Sequence, residues 1–238
     1  MKLTHRGNCH QKVVRDRMAV EERDGLFGHW WEDLDTRIEN AECRDVSHEQ
    51  ARKVILRYEF LGTYCNAPLF AHGIYFDGHL GGVVVFGAPS PPSLSHSVVG
   101  EAFASNVVQL ARGACVHWAH PHSASKLIAS GLRSAESKGY RVVIAFGDPD
   151  AGEIGTVYQA TNWLYCGLGA KRPDYFDATG KRVTGPFKKG EVNRYTRAPR
   201  TRKHRYVFVL GNRKERRAIR SDLLWKPQPY PKRENADG

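Results

Sequence analysis

A strand, a helix and a second strand follow one another between residues 107 and 147, and this succession constrains the fold more than any other feature of the chain. The run NVVQLARGACVHW alternates as a half-buried strand does. His-Ser-Ala-Ser then opens a helix with Leu127, Ile128, Gly131, Leu132 and Ala135 on one face and Gly139 as a left-handed stop. YRVVIAF, apolar throughout, reads as a strand covered on both faces. If the two strands are parallel, the crossover is right-handed. The class expected is α/β (α+β), a mixed central sheet with helices on both faces.

The elements before this unit read more simply. Ser47 and Gln50 form a capping box, and Ala51, Val54, Ile55 and Tyr58 recur at helical spacing, so a helix is expected over 47–60. LFAHGIYFDGHLGGVVVFG holds two β-rich runs around Asp77-Gly78, a hairpin signal. Residues 88–105, rich in Pro and Ser, read as a surface loop. Residues 1–44 form an N-terminal extension to which no function is assigned.

After the unit, a helix is expected over 153–165 with Gly167 as its stop. HRYVFVLG then reads as a strand, KERRAIRSDLLW as a short basic helix, and 226–238 as a frayed tail. The globular body spans 45–225. At 238 residues and 41% hydrophobic, the chain suffices for one good core. Its first residues carry no secretory signal and no later run is long and apolar enough to span a bilayer, so an intracellular protein without a membrane partner is expected. The five cysteines are scattered and form no Cys-x-x-Cys pair, so reduced thiols are expected rather than staples or a zinc site.

Two features point to function. Residues 171–220 hold 17 Lys or Arg against 4 Asp or Glu, while the whole chain carries +11, so the positive charge is concentrated in this one segment. A basic stretch with interleaved aromatics (Tyr175, Phe176, Phe187, Tyr195, Tyr206, Phe208) suits a polyphosphate partner, nucleic acid first among them, against a plain solvated basic face. Arg112 stands in an otherwise apolar file of Val108, Leu110, Ala114, Val116 and Trp118. It therefore needs an anionic partner, either a ligand or a buried carboxylate of the chain.

The order of elements resembles the GNAT acyltransferase fold. In that family the helix after the fourth strand opens with a Gln/Arg-x-x-Gly-x-Gly/Ala loop that cradles a coenzyme A pyrophosphate. HPHSASKL stands there in this chain and lacks both glycines. A helix start with hydroxyls and a lysine can still hold phosphate, so Ser123, Ala124, Ser125 and Lys126 are the candidate donor-binding residues, with simple helix capping as the alternative.

A sharper resemblance, to the phage Mom adenine-modification family, is carried by FGDPDAGEIGTVYQATNWLYCGLGAKRPDYF, with QLARGACVHWAHPHSASKLIASGL before it and KHRYVFVLGNRKERR after it. It covers about residues 45–230. It implies a GNAT-like catalytic domain that converts N6 of adenine in duplex DNA to a carbamoylmethyl (acetamido) derivative and so hides phage DNA from restriction. It also implies a phage or prophage origin, action in the cytoplasm of the bacterial host, and double-stranded DNA and a small acyl donor as partners. The donor implied is acyl-CoA-like, such as acetyl-CoA, and the family is linked to iron. Position by position, the functional residues implied are Arg112, Ser123, Asp148, Tyr158 and, less firmly, Tyr58.

The chemistry gives these residue types a purpose. Adenine N6 is a weak nucleophile, so a site must accept its proton, and Asp148 is the candidate acceptor. Tyr158 would donate to the leaving group or a developing oxyanion. Asn162 can pair with an adenine edge, Trp163 or Trp118 can stack on a base rotated out of the duplex, and Lys188, Lys189, Arg200 and Arg202 are expected at phosphates. Each has a plainer alternative: a turn for Asp148, the core for Tyr158 and both tryptophans, a helix cap for Asn162. His117, His120 and His122 are dense enough to chelate, but a structural role is the stronger reading, and no metal ligand is assigned. The competing function is a GNAT-family N-acyltransferase acting on a protein or small amine; a non-catalytic nucleic-acid-binding module is the third.

Overall fold

The computed structural model describes residues 9–23, 30–171, 173–183 and 190–232. Helix α1 (His10–Arg23) belongs to the unassigned extension. Strand β1 (Glu42–Val46) leads into helix α2 (His48–Tyr58), whose first turn is capped by Ser47 accepting the Gln50 amide. Strands β2 (Pro68–Phe76) and β3 (His79–Gly87) form the expected hairpin. Asp77 and Gly78 both have positive φ, 46° and 78°, the geometry that matches the twist of paired strands.

Strand β4 (Val107–Cys115), helix α4 (Ser123–Ser137) and strand β5 (Val142–Gly147) make the expected strand-helix-strand unit, and its two strands pair in parallel; helix α3 (Ser93–Val99) comes just before it. Helix α5 (Thr156–Ala160) and strand β6 (Leu164–Leu168) follow. Strands β7 (Pro173–Phe176), β8 (Arg182–Val183) and β9 (Thr196–Pro199) form a separate sheet, before strand β10 (His204–Val209) and helix α6 (Arg213–Asp222).

The main sheet runs β1-β2-β3-β4-β5-β10-β6, antiparallel except for the β4–β5 pair; the small sheet runs β8-β7-β9. Along β5 the side chains divide between two cores. Val143 and Ala145 pack on the side that buries Leu127 and Ile128 of α4, while Val142 and Ile144 join Val98 and Val99 of α3 and Ile219 of α6. The mixed α/β sheet therefore has helices on both faces, as expected.

Four expectations are corrected. Residues 88–105 are not all loop: α3 forms at Ser93–Val99 because Val98 and Val99 find a buried apolar surface, which the Pro-Ser composition hid. The helix expected over 153–165 is only α5, stopped at Asn162 (φ 62°), after which the chain becomes β6. Gly167 lies inside that strand with φ 73° and ends no helix. The tail is also not frayed over 226–232: the Gln228 amide donates to the Tyr165 carbonyl and the Tyr230 hydroxyl to the Trp163 carbonyl, 2.8 and 2.6 Å, along the free edge of β6. Residues 233–238 lie outside the described residues.

Trp163 is fully buried and rings it from both sides are Tyr158 and Phe208, with centroids 5.1 and 5.6 Å away. Trp163→Ala is expected to lower stability by about 3–5 kcal/mol, read as a reduced midpoint in urea unfolding.

Candidate active site

The site begins with a disagreement between two strand lengths. β4 and β5 pair only at Val107–Val142, Val108–Val143 and Gln109–Ile144, yet both strands continue beyond those pairs. Past Gln109 they separate, and the gap is a cleft of about 380 Å³ at the carboxyl ends of the parallel pair. Its walls are Gln109–Cys115 of β4, Ala124, Leu127 and Ile128 of α4, and residues 152–158 leading into α5. Glu59, Phe60 and Leu61 close it from the end of α2, and Gln11 and Arg15 from α1.

Arg112 reaches this cleft because β4 is irregular. Val85 faces Arg112 while Phe86 faces Leu110, so Ala111 is an extra residue, and a bulge of this kind re-aims the side chains beside it. The unbroken apolar file expected for Arg112 is thereby interrupted. Of the two partners expected for Arg112, a ligand or a buried carboxylate, the carboxylate is not found: among the described residues Arg112 has no ion pair. Its Nε donates to the Thr63 carbonyl (2.9 Å), Nη1 to the Ala111 carbonyl (2.7 Å) and Nη2 to Thr63 Oγ1 (3.3 Å).

Asp148 follows the last residue of β5. The antiparallel register sets His204 opposite Gly147, so Lys203 arrives opposite Asp148, and its Nζ lies 3.0 Å from Oδ2. Asp148 Oδ1 accepts the Asp150 amide at 3.1 Å. Both oxygens of the candidate proton acceptor are thus already engaged.

Tyr158 lies on α5, held there by Gly155. Gly155 has φ 78°, and a Cβ on it would sit 2.3 Å from the Tyr206 ring, so both backbone and space demand glycine. The Tyr158 hydroxyl has no hydrogen-bond partner among the described residues, although the side chain lines the cleft. Burial, with Glu153 nearby, pushes its phenol well above the ordinary tyrosine range.

Glu59, Glu153 and Lys203 also line the cleft, and none was singled out from the sequence. Burial first, then the neighbouring Glu59 and Asp148, push the Glu153 carboxyl up to about 7 against the opposing Asp148 amide and Lys203. Burial also raises Glu59, opposed by the Leu61 amide, Arg112 and Lys203. One signal was available: Asp148, Asp150 and Glu153 make three carboxylates in six residues just beyond a strand's carboxyl end. Nothing in the local sequence pointed to Glu59 or Lys203.

Other expected residues lie elsewhere. The Tyr58 hydroxyl meets His117 Nδ1 at 3.0 Å, and the two rings stack outside the cleft lining. Ser123, 1% exposed, has an Oγ with no partner among the described residues, while its neighbour Ala124 faces the cleft. Ser125 and Lys126 instead line a second hollow of about 640 Å³ on the outer side of α4, with Asn162. There Ser125 Oγ donates to the His122 carbonyl at 2.9 Å and Lys126 Nζ to the Ile38 carbonyl at 2.5 Å. Of the four candidate donor-binding residues, Ala124 lines the cleft, Ser125 and Lys126 line the second hollow, and Ser123 lines neither. Trp163 is core and presents no face for stacking, and Trp118 packs on Trp30 and Phe76.

Among the basic residues, Arg202 donates to the Gly169 and Leu168 carbonyls, 2.6 and 3.2 Å, so it tethers chain rather than waiting for phosphate. Exposed Arg200 lies 3.9 Å from Asp174, and exposed Arg197 stands over the Tyr175 ring. Phe187, Lys188 and Lys189 lie outside the described residues. Of the interleaved aromatics, Tyr206 is fully buried and Phe208 packs against the core. No group of three His, Cys, Asp or Glu among the described residues is placed to hold a metal ion. His117 is taken up by Tyr58, and His120 and His122 face one another with centroids 5.3 Å apart. The expectation of iron finds no support in this donor set. No helix among the described residues is long and apolar enough to cross a membrane.

Comparison with known proteins places the chain. It is similar to "Methylcarbamoylase mom" of Escherichia phage Mu, 24% identical over 239 residues and covering 93% of each chain. Among solved structures it is similar to an N-acetyltransferase from Staphylococcus aureus Mu50, at 14% identity over 72% of this chain and 99% of that one, TM-score 0.44. It is also similar to a Bacillus subtilis acetyltransferase in complex with CoA, at 13% identity over 72% of this chain and 99% of that one, TM-score 0.42. Residues 40–232 match the Mom protein family, and the chain belongs to it.

Proposed function

We propose that this chain is a transferase that modifies N6 of adenine in duplex DNA, adding a carbamoylmethyl group in the cleft between the separated strands. The observation that carries this reading is the convergence, in one cavity, of Arg112, Asp148, Tyr158 and further carboxylates from parts of the chain far apart in sequence. Membership of the Mom family and the likeness to a methylcarbamoylase support the reaction class. A cavity of about 380 Å³ is within the range that holds a small molecule or a single base.

The basic segment is fastened to the mouth of the same cleft. Lys203 pairs with Asp148, and Thr201 Oγ1 donates to Asp150 Oδ1 at 2.6 Å. DNA held by exposed Arg194, Arg197 and Arg200 would therefore lie beside the opening. Because N6 is enclosed in the stacked duplex, the base must turn out to be reached. With Trp163 buried, Phe60 is one of the aromatic residues at the cleft wall that could take its place.

The donor is proposed to be a CoA-like molecule carrying a carbamoylmethyl group, whose methylene is the activated carbon; transfer from a thioester carbonyl would give an N6-acyl adenine instead. The orphaned Ser123 hydroxyl at the start of α4 and the adjoining Ala124 on the cleft wall suit its phosphate end. Within the cleft, the residues of this chain bind and orient the amine, keep water out and provide the Tyr158 hydroxyl as a donor to the departing group. The modified DNA would resist restriction enzymes that require an unaltered adenine.

The test is to express the protein in bacteria, digest the DNA to nucleosides and examine the deoxyadenosine pool by mass spectrometry. A heavier deoxyadenosine bearing the carbamoylmethyl increment is expected. An unaltered pool, together with DNA affinity that does not change with salt, would favour N-acylation of a protein or small amine instead.

A further inference from the structure

We infer that Glu153, which lines the cleft together with Glu59 and Tyr158, takes the proton that the attacking amine must lose. This rests on the proposed function and assigns the proton to a residue other than the aspartate that ends β5. The geometry argues for it first. Both Asp148 oxygens are occupied, one by Lys203 and one by the Asp150 amide, so a proton arriving there would have to displace an ammonium. Glu153 is held on the other side of the same turn. Its amide donates to the Asp148 carbonyl at 3.0 Å, and the residue lines the cleft. Between the two, the Pro149–Ala151 turn and left-handed Gly152 fix the direction in which the chain returns to the cleft.

The charges around Glu153 favour exchange of a proton near neutrality. Glu59 stands at the end of α2 and Asp148 at the end of β5, and each opposes a further negative charge on Glu153, while the Tyr158 phenol on α5, raised by burial, stays protonated. The cations within the cleft are Arg112 of β4, Arg15 of α1 and Lys203. Lys203 is paired with Asp148, Arg112 is bonded to Thr63, and Arg15 is bonded to the His117 and Ala119 carbonyls. Glu153, partly buried beside these carboxylates, is left undercompensated, and its carboxyl rises to about 7. Such a group is a stronger base than an ordinary carboxylate and is still substantially ionised at neutral pH.

In the reaction, the bond from N6 to the methylene carbon of a carbamoylmethyl donor forms as the bond from that methylene to its leaving group breaks, its electron pair departing with the group and the carbamoyl amide passing intact to the product. The N6–H bond breaks and its proton passes to the Glu153 carboxylate. The Tyr158 hydroxyl donates to the departing group.

The experiment uses the purified full chain, plasmid DNA and clarified bacterial lysate as the source of donor, buffered from pH 6 to 9, with modified deoxyadenosine counted by mass spectrometry. For the wild type, the rate should climb about tenfold per pH unit below 7 and level off above it. Glu153→Gln should lower the rate ~100-fold or more and flatten that rise, with DNA affinity unchanged, and Glu153→Asp should restore part of it. A carboxyl raised in the folded state costs stability once the pH exceeds its unfolded value, so Glu153→Gln should melt no lower than wild type at pH 8. Loss of rate can then not be ascribed to unfolding. If Glu153→Gln keeps the wild-type rate, or keeps the rise through pH 7, the inference is overturned while the function stands. If the wild type leaves DNA unmodified at every pH, the function itself fails, and this inference with it.

Discussion

Tyr158→Phe should reduce adenine modification ~100-fold or more without altering the melting temperature or DNA affinity. The change removes one oxygen from a side chain whose ring packs against Trp163 and Tyr206, at centroid distances of 5.1 Å each, and phenylalanine preserves both contacts. Since the hydroxyl bonds to nothing among the described residues, removing it strands no partner and opens no cavity. A structural tyrosine would show the reverse pattern: a lower melting temperature with activity reduced only in proportion. The comparison is made by counting modified nucleosides per unit of folded protein for the two chains. A Tyr158→Phe protein as active as the wild type would remove the phenol from the chemistry.

A second large effect is expected at the mouth of the cleft. Arg194, Arg197 and Arg200 are exposed on and beside β9, and their joint reversal to Glu should weaken DNA binding steeply at low salt. Each lost phosphate contact removes roughly 0.9 from the slope of log affinity against log salt, so a fall of about 2 to 3 is expected in fluorescence anisotropy titrations. Arg202→Ala should behave differently. Its guanidinium holds the Leu168 and Gly169 carbonyls, so its loss loosens the tie between β6 and the approach to β10. An unchanged slope in the triple variant would remove this strip from the interface.

The sequence disclosed the parts of the fold whose signals are local and strong. The α4 crossover, the Asp77-Gly78 hairpin and the Ser47 cap each depend on a few consecutive residues, and each forms where expected. The α5–β6 region was misread because Ile154, Val157, Tyr158, Thr161, Asn162 and Tyr165 recur at helical spacing, and only the left-handed backbone of Asn162 marks the change. At the site, Arg112, Asp148 and Tyr158 were found and do share a cleft. Arg112 betrayed itself as a charge in an apolar strand, although its partner proved to be Thr63 carbonyl rather than a carboxylate.

What escaped was whatever depends on register or on a second wall. Lys203 meets Asp148 only because β10 pairs with β5 in one particular alignment. Glu59 is an unremarkable residue at the end of α2 until the strands part beneath it. Gln11 and Arg15 came from a segment to which no role was assigned, yet α1 supplies bonds to the Gly113, His117 and Ala119 carbonyls along the end of β4.

The most direct test of the account fills the space on which it depends. Ala111, the extra residue of the β4 bulge, lines the cleft, and Ala111→Trp would place an indole there while leaving the basic strip untouched. Bacteria producing the wild type should contain a heavier deoxyadenosine, whereas those producing a folded, DNA-binding Ala111→Trp chain should contain none above background. A blocked chain that modifies DNA as fully as the wild type would show that the chemistry happens somewhere other than between these two strands.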